Sequence, residues 1–147
     1  MKLLILNGPN LNLLGTREPE IYGADSLSDI EARCVAHGKT LGVDVSCAQS
    51  NHEGALVEAL HAARGSADGV VLNAGAYTHT SIALRDAIAA IGLPVVELHL
   101  SNTHKREGFR HPSMIAGVCA GIIQGFGASG YTLAITALKD LLDQRRP

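Results

Sequence analysis

The sequence has no tryptophan, and aromatic residues make up only 3% of its 147 residues. Proteins that bind single-stranded nucleic acid stack bases on aromatic side chains, so this scarcity argues against that class of function. Basic residues are not in excess either, because 12 Lys and Arg stand against 14 Asp and Glu, a formal net charge of −2. The composition therefore predicts no nucleic-acid partner and no electrostatic attachment to a membrane surface.

Cysteine is also rare, with Cys34, Cys47 and Cys119 far apart in the sequence. Their odd number and wide spacing fit neither a disulfide framework nor a metal-ligand pattern. We therefore expect reduced, partly buried thiols, no metal site, and a cytoplasmic protein.

Long hydrophobic runs are missing apart from one segment. The apolar stretch at 3–6 stops at Asn7, which is too early for a targeting peptide. Residues 112–138 contain no Asp, Glu, Lys or Arg, and three of their glycines are spaced as in membrane-helix dimers. Polar side chains and a Gly-rich interruption at 125–130 split that segment, so a strand followed by a helix is the better interpretation. No membrane partner is expected.

Strand-like and helix-like segments alternate five times along the chain. This alternation predicts one α/β domain over 1–147, with a doubly wound five-stranded parallel sheet in the order 2-1-3-4-5. A ligand site in this topology lies beyond the carboxyl ends of the strands. The predicted strands are 2–7, 43–49, 70–72, 94–100 and 115–124; a helix opens at 26–28 with a capping box at Ser28–Glu31 and ends before Gly42, and further helices span 53–63, 81–91 and 128–142.

The segment after the first strand, residues 7–23, is the most unusual part of the sequence. Its two prolines, three glycines and three asparagines disfavour regular structure. Its leucines and Ile21 are apolar side chains that can pack against the rest of the protein, which favours a functional loop over disorder. The loop carries Arg17 and Tyr22, a fixed cation and a phenol that folding could bring together.

The predicted topology sorts most of the unusual polar residues onto one edge of the sheet. In a mildly acidic protein, this concentration of cations predicts a small anionic ligand rich in hydroxyls, with arginine binding a carboxylate or phosphate. The residues are Asn10, Asn12, Arg17 and Tyr22 after the first strand, 73–81 after the third, and Glu97, His99, Ser101, Asn102, Lys105, Arg106 and Arg110 around the end of the fourth.

Two pairs of residues at this edge suit acid–base chemistry. Glu97 and His99 are two apart on a strand and share a face, so the carboxylate can orient the imidazole as a general acid. Tyr22 has a reference pKa of about 10 and needs a cation such as Arg17 to become a useful base. Taken singly, Tyr22 also fits an anchoring role and His99 a strand-end histidine, but their combination with Arg17 favours function.

Other residues allow two interpretations. His79 is either a hydrogen-bond donor to the ligand or simply the residue before a helix start, and Asp86 also fits a solvated helix face. The glycines at 125–130 match a dinucleotide-binding fingerprint, but no acidic residue follows at the distance needed to bind a ribose, so we reject an NAD site.

Several multi-residue motifs follow one another in a fixed order: Leu6–Gly15, Arg17–Pro19, Tyr22–Gly23, Gln49–Asn51, Glu53–Gly54, Asn73–Ser81, Glu97, His99, Ser101–Asn102, Arg106–Glu107 and Phe109–Arg110. Through them the sequence closely resembles the type II 3-dehydroquinate dehydratases over essentially its whole length. The only local departures lie beside these motifs, at Leu98 and Gly108.

The resemblance implies a flavodoxin-like fold and a lyase of the shikimate pathway. Such an enzyme reversibly dehydrates 3-dehydroquinate to 3-dehydroshikimate through an enolate, without metal or organic cofactor. The implied catalytic residues are Tyr22 as general base, Arg17 as the group that favours the tyrosinate, His99 as general acid, and Asn10 as the residue that places a water. The implied binding residues are Asn73, His79, Leu100, Ser101 and Arg110, with Asp86 reaching a neighbouring subunit of a homododecamer built from trimers.

Two rival functions remain open at this point. One is a flavodoxin-like module that binds a nucleotide or small anion without catalysis, although few aromatic residues are present to hold a flavin. The other keeps the reaction but uses a Schiff-base lysine, for which Lys105 is the candidate near the predicted site.

Overall fold

A computed structural model describes residues 1–16, 18–22 and 24–145, with only the backbone described at Tyr22. Arg17 and Gly23 lie outside the described residues. The strands are β1 (Lys2–Asn7), β2 (Asp44–Gln49), β3 (Gly69–Asn73), β4 (Val95–His99) and β5 (Gly121–Gln124). The α-helices are α1 (Pro19–Tyr22), α2 (Leu27–Thr40), α3 (Glu53–Ser66), α4 (Ile82–Ile91) and α5 (Ser129–Arg145), and 3-10 turns occupy Leu11–Leu13, Gly75–His79, Thr103–Lys105, Gly108–Arg110 and Ala116–Val118.

The five strands form one parallel sheet in the order β2-β1-β3-β4-β5. Leu3 pairs with Val45 on one side and with Gly69 on the other, so β1 lies between β2 and β3. The order reverses between β1 and β3, as in doubly wound α/β folds. The predicted fold class and strand order are confirmed.

Successive residues of each strand point to opposite faces of the sheet, which builds two separate apolar cores. Leu3 and Ile5 of β1 belong to one core and Leu6 to the other. The first core receives Ile30 and Cys34 from α2 and Tyr131, Ala134, Ile135 and Leu138 from α5. The second receives Leu56 and Leu60 from α3 and Leu84, Ala87 and Ile88 from α4. Both faces of the sheet are therefore covered by a pair of helices.

Three local predictions were wrong at their boundaries. The capping box of α2 is formed by Ser26 and Asp29 rather than by Ser28 and Glu31, because Ser26 accepts from the Asp29 N–H and donates its own N–H to that carboxylate. Strand β5 begins at Gly121 rather than at 115, because a 3-10 turn occupies 116–118. The loop 7–23 contains two short helical turns, 11–13 and α1, where irregular structure was expected.

The Gly-rich segment between β5 and α5 makes a tight turn. Gly125 and Gly127 have φ of 94° and 59°, in the left-handed region that favours glycine. A Cβ at Gly130 would lie 2.8 Å from Cδ1 of Leu98, so the helix start packs closely on β4. These glycines therefore serve the turn and the close packing. None of the helices described here is long and apolar enough to span a bilayer.

Candidate active site

A cavity of about 250 Å³ opens at the carboxyl ends of β1, β3 and β4. This is the edge at which doubly wound sheets bind ligands. Seven of the residues singled out from the sequence line it together: Asn10, Asn73, His79, His99, Leu100, Ser101 and Arg110. The remaining lining residues are Pro9, Leu11, Gly75, Ala76, Thr103 and Arg106.

A buried hydrogen-bond network supports the cavity from below. The hydroxyl of Tyr131 on α5 donates to Oδ1 of Asn7 at 2.6 Å and accepts from Nδ2 of Asn73 at 3.0 Å. The Asn73 Oδ1 atom accepts the N–H of Gly75 at 3.2 Å. Burial raises the pKa of the Tyr131 phenol well above its ordinary value, so it remains a neutral donor. The ends of β1 and β3 and the turn after β3 are thus held by one side chain of the final helix.

Asn10 enters the cavity from an unusual backbone conformation. Its φ of 69° lies in the left-handed region, which asparagine tolerates better than most residues. Oδ1 of Asn51 accepts the Asn10 N–H at 3.0 Å and also accepts from Nε2 of Gln49 at 3.0 Å. The backbone carbonyl of Asn51 accepts the hydroxyl of Tyr77 at 2.8 Å. The loop after β2 therefore holds the loop after β1 in place.

Two histidines face each other in the cavity wall. The rings of His79 and His99 stack with centroids 6.3 Å apart and an interplanar angle of 18°. Nδ1 of His79 lies 2.8 Å from the carbonyl oxygen of Pro112, so this nitrogen carries the hydrogen. Nε2 of His99 lies 2.6 Å from Oε2 of Glu97, as the two-residue spacing on β4 predicted. Each ring is thereby oriented through a single nitrogen.

The Glu97 carboxylate is almost fully buried, with 2% of its surface exposed. Its second oxygen, Oε1, accepts a hydrogen bond from the hydroxyl of Ser113 at 2.8 Å. A buried carboxylate is stable only when its oxygens are hydrogen-bonded. Sequence reasoning missed Ser113, which lies 16 residues beyond Glu97 and close to it only in the fold.

Two arginines supply positive charge to the cavity. Arg106 donates to Oγ of Ser101 at 3.4 Å, and Nε of Arg110 donates to Oε2 of Glu107 at 2.6 Å. The Glu107 carboxylate accepts hydrogen bonds from the backbone N–H of Glu107 and from Arg110. These bonds hold the pKa of the Glu107 carboxyl below its usual value. The guanidinium of Arg110 also lies 5.1 Å from the centre of the Phe109 ring. Arg106, which the sequence analysis placed among the cations at this edge, also lines the cavity.

A larger groove of about 790 Å³ adjoins the cavity and shares Leu100, Ser101, Arg106 and Arg110 with it. Its opposite wall includes Glu18, Glu20 and Ile21, from α1 and the residue before it, and Asp25 beyond it. The loop after β1 therefore borders the mouth of the cavity. Two catalytic predictions concern residues of this loop that are not fully described: Arg17 lies outside the described residues, and only the backbone of Tyr22, the last residue of α1, is described.

Asp86 does not line the cavity of its own chain. It lies on α4, where it is exposed. Metal binding gains no support either: within 1–16, 18–22 and 24–145, no cluster of three or more His, Cys, Asp and Glu is arranged to hold an ion.

The family model described as dehydroquinase class II matches residues 1–139. The chain belongs to the class II dehydroquinase family. It is 69% identical over 144 residues to a 3-dehydroquinate dehydratase of Jannaschia sp. (strain CCS1), covering 98% of this chain and 97% of that protein. A 3-dehydroquinate dehydratase of Ruegeria pomeroyi is 65% identical over 136 residues, covering 92% and 91% of the two chains.

Solved structures of class II dehydroquinases share this fold. The crystal structure of the type II dehydroquinase from Butyrivibrio crossotus DSM 2876 superimposes with a TM-score of 0.93 at 45% identity, covering 95% of this chain and 97% of that one. The family resemblance stated from the sequence motifs is thus confirmed along nearly the whole length.

Proposed function

We propose that this chain catalyses the reversible dehydration of 3-dehydroquinate to 3-dehydroshikimate as a hydro-lyase that needs no metal or organic cofactor. One observation carries the proposal. In a class II dehydroquinase chain, one cavity presents His99, which is hydrogen-bonded to the buried Glu97, together with the cations Arg106 and Arg110. A carboxylic acid with several hydroxyls matches this combination of charge and polar groups.

In this proposal Tyr22 is the base that removes the proton beside the ketone. A proton beside a ketone is only weakly acidic, so the base must be matched to the working pH and the enolate oxygen must be stabilised. Arg17, five residues earlier in the same loop, favours the tyrosinate form of Tyr22 by its positive charge. Asn10 places a water beside the developing enolate.

His99 is the acid that assists the departure of the substrate hydroxyl. Its Nε2 is occupied by Glu97, which leaves Nδ1 as the nitrogen that faces the substrate. With Glu97 orienting the ring, His99 is the general acid that gives a proton to the leaving oxygen. Glu97 touches no substrate in this scheme and acts through His99.

Substrate binding is assigned to groups on three loops. Asn73 and His79 bind hydroxyls, as do the backbone at Leu100 and the hydroxyl of Ser101. Arg110 binds the carboxylate, which replaces Glu107 as its partner. That exchange is easy because the Glu107 carboxylate is exposed, and ion pairs of exposed groups are weak.

Assembly and location complete the proposal. Residues 1–147 act as one catalytic domain in the cytoplasm, in trimers that associate into a homododecamer. Asp86 reaches the active site of a neighbouring subunit, a role consistent with its exposure and with its absence from the cavity lining of its own chain.

The direct test is an ultraviolet assay with 3-dehydroquinate, which follows the conjugated enone of the product. We expect absorbance to rise without added metal and after exhaustive treatment with a chelator. Treatment with borohydride in the presence of substrate should leave activity intact, because no lysine forms a Schiff base. Borohydride inactivation that is lost in Lys105→Arg would replace the proposed chemistry with the lysine mechanism.

The base assignment predicts the behaviour of Tyr22→Phe. Because this change removes the hydroxyl and keeps the ring, we expect turnover to fall by at least about 100-fold while substrate affinity changes little. Steady-state kinetics and binding of substrate by calorimetry measure the two effects separately. Near-normal turnover in this variant would remove Tyr22 from the base role.

A further inference from the structure

One short segment holds both cavity histidines from behind. In residues 112–114, the carbonyl of Pro112 accepts from Nδ1 of His79, and the hydroxyl of Ser113 donates to Glu97, which binds His99. The N–H of Met114 donates to the carbonyl of Thr78 at 2.8 Å, which fixes the segment against the turn that carries His79. The stacked rings are therefore held by one piece of backbone.

The hydrogen bonds that the Ser113 hydroxyl accepts determine the direction in which its proton points. A serine hydroxyl has one donor and two acceptor lone pairs. Oγ of Ser113 accepts the N–H groups of Ile115 at 3.3 Å and Ala116 at 3.0 Å, so both lone pairs are used. The proton must then point to the remaining partner, Oε1 of Glu97 at 2.8 Å.

This arrangement fixes the role of each Glu97 oxygen. Oε1 accepts from Ser113 and Oε2 faces Nε2 of His99 at 2.6 Å. A donor at Oε1 stops the carboxylate from rotating away from the ring. The imidazole beyond it is held in one plane and one tautomer for proton transfer.

We propose that Ser113 is a positioning residue for the acid step: through Glu97 it sets the orientation of the His99 ring. The inference rests on the proposed function of His99 as the acid that protonates the leaving hydroxyl. The competing explanation is that Ser113 only caps the turn at 116–118. A direct observation of the His99–Glu97 hydrogen bond distinguishes the two roles, because only the positioning role predicts that the bond changes when the Ser113 hydroxyl is removed.

The experiment compares Ser113→Ala and Ser113→Thr in the full-length protein. For Ser113→Ala we expect kcat for 3-dehydroquinate to fall about tenfold, the lower end of what losing an orienting partner of a histidine costs, with KM within about threefold. Ser113→Thr keeps the hydroxyl and should restore kcat to within about threefold of the starting enzyme. If Ser113→Ala does not fold, Ser113→Cys replaces it, because its thiol is a weak donor.

A second measurement does not depend on activity. In protein labelled with ¹⁵N-histidine, the proton shared by His99 and Glu97 gives a downfield resonance, assigned by its loss in His99→Ala. We expect this resonance to move in Ser113→Ala and to return in Ser113→Thr. The matched control is Ser26→Ala, which also removes a hydroxyl that accepts a backbone N–H at a helix start but contacts neither histidine. It should leave the resonance unchanged.

An unchanged resonance in Ser113→Ala, with kcat lowered only as much as in Ser26→Ala, would overturn the proposal and leave Ser113 as a turn cap. A moved resonance in a protein that does not dehydrate 3-dehydroquinate at all would keep the coupling from Ser113 to His99 and refute the acid role. The two failures are therefore distinguishable.

Discussion

At the scale of single residues, the floor of the cavity depends on three neutral side chains, Asn7, Asn73 and Tyr131, which are joined through the Tyr131 hydroxyl. Tyr131 donates to Asn7 and accepts from Asn73, and Asn73 in turn accepts the N–H of Gly75. These bonds determine which way the Asn73 amide faces. Removing any one partner leaves a buried polar group without its bond.

This network predicts a stability cost for Tyr131→Phe, which keeps the ring and deletes the hydroxyl. Oδ1 of Asn7 loses its donor and Nδ2 of Asn73 its acceptor, so we expect the free energy of unfolding to drop by about 1–3 kcal/mol. Urea unfolding measures it. The control is Tyr77→Phe, whose hydroxyl bonds to an exposed loop carbonyl and should cost less. Equal losses in the two variants would contradict the importance of the buried network.

Residue-scale features differ in how far the sequence predicts them. The alignment of Glu97 with His99 is predictable, because residues two apart on a strand share a face. Ser113 and Tyr131 are not, because their partners are distant in sequence: Tyr131 lies 124 residues from Asn7. A hydrogen bond of that span leaves no periodicity or local motif behind.

At the scale of elements, the start of the loop after β1 packs tightly against the end of β3. A Cβ placed on Gly8 would lie 2.6 Å from the carbonyl oxygen of Ala74, which is backbone that cannot rotate away. The Gly8 N–H donates to the carbonyl of Asn73 at 2.8 Å. This close approach brings the loop with Asn10 beside the loop with His79.

Gly8→Ala is therefore expected to be destabilising. The added methyl must push β1 and β3 apart or distort the loop, at a cost of about 1–3 kcal/mol. The control, Gly54→Ala, adds the same methyl in the first turn of α3 where nothing lies within 4 Å. It should leave stability unchanged or slightly raised, by up to about 1 kcal/mol. Thermal unfolding of both variants tests the difference, and equal melting temperatures would refute the close contact.

The sequence predicts which strands and helices form better than it predicts the residues at which they begin and end. β1 matches its prediction because its apolar run is bounded by Lys2 and Asn7. β5 was extended too far, since apolar residues at 115–118 look like a strand until the Ser113 hydroxyl binds two N–H groups and turns the chain. Competition between a side chain and the strand ladder for backbone donors decides that boundary.

At the scale of the whole molecule, the proposed assembly makes Asp86 act in trans, which a mixing experiment tests. Assemblies of Asp86→Ala alone and of His99→Ala alone should both be nearly inactive. If neighbours share sites, an equimolar mixture of the two, co-expressed in one assembly, contains complete sites and should recover about a quarter of full activity. No recovery would place both residues in the same chain's site.

The native mass of the same preparations provides the control for that experiment. Analytical ultracentrifugation should give about twelve times the 15.4 kDa of one chain for every variant. A variant that dissociates would show that Asp86 supports assembly. In that case the mixture would recover activity only if its native mass also returned to that of the full assembly.

Three partly or fully buried thiols also predict a pH dependence for the whole fold. Burial raises the pKa of Cys34 and Cys119 to about 12 and that of Cys47 to about 11. Since unfolded thiols ionise at about pH 8.5, the unfolded state loses protons first, and stability should fall as pH rises from about 9 toward 12. Urea midpoints measured between pH 7.5 and 10.5, taken as a practical range of about three units, test this.

The matched variant for the alkaline experiment is Cys34→Ala combined with Cys119→Ala. It should show a shallower fall of the urea midpoint with pH, whatever its starting stability, because fewer thiols ionise on unfolding. An identical slope in the variant and the parent protein would show that other groups cause the alkaline loss.

The position of Tyr131 has a consequence for how the molecule is made. Protein synthesis runs from β1 toward α5, and the early strands can pair while later residues are still inside the ribosome. The hydroxyl that joins Asn7 to Asn73 belongs to α5, so a nascent chain that ends before that helix has the strands of the site without its floor. The floor of the cavity is therefore completed only when α5 leaves the exit tunnel and docks on the sheet.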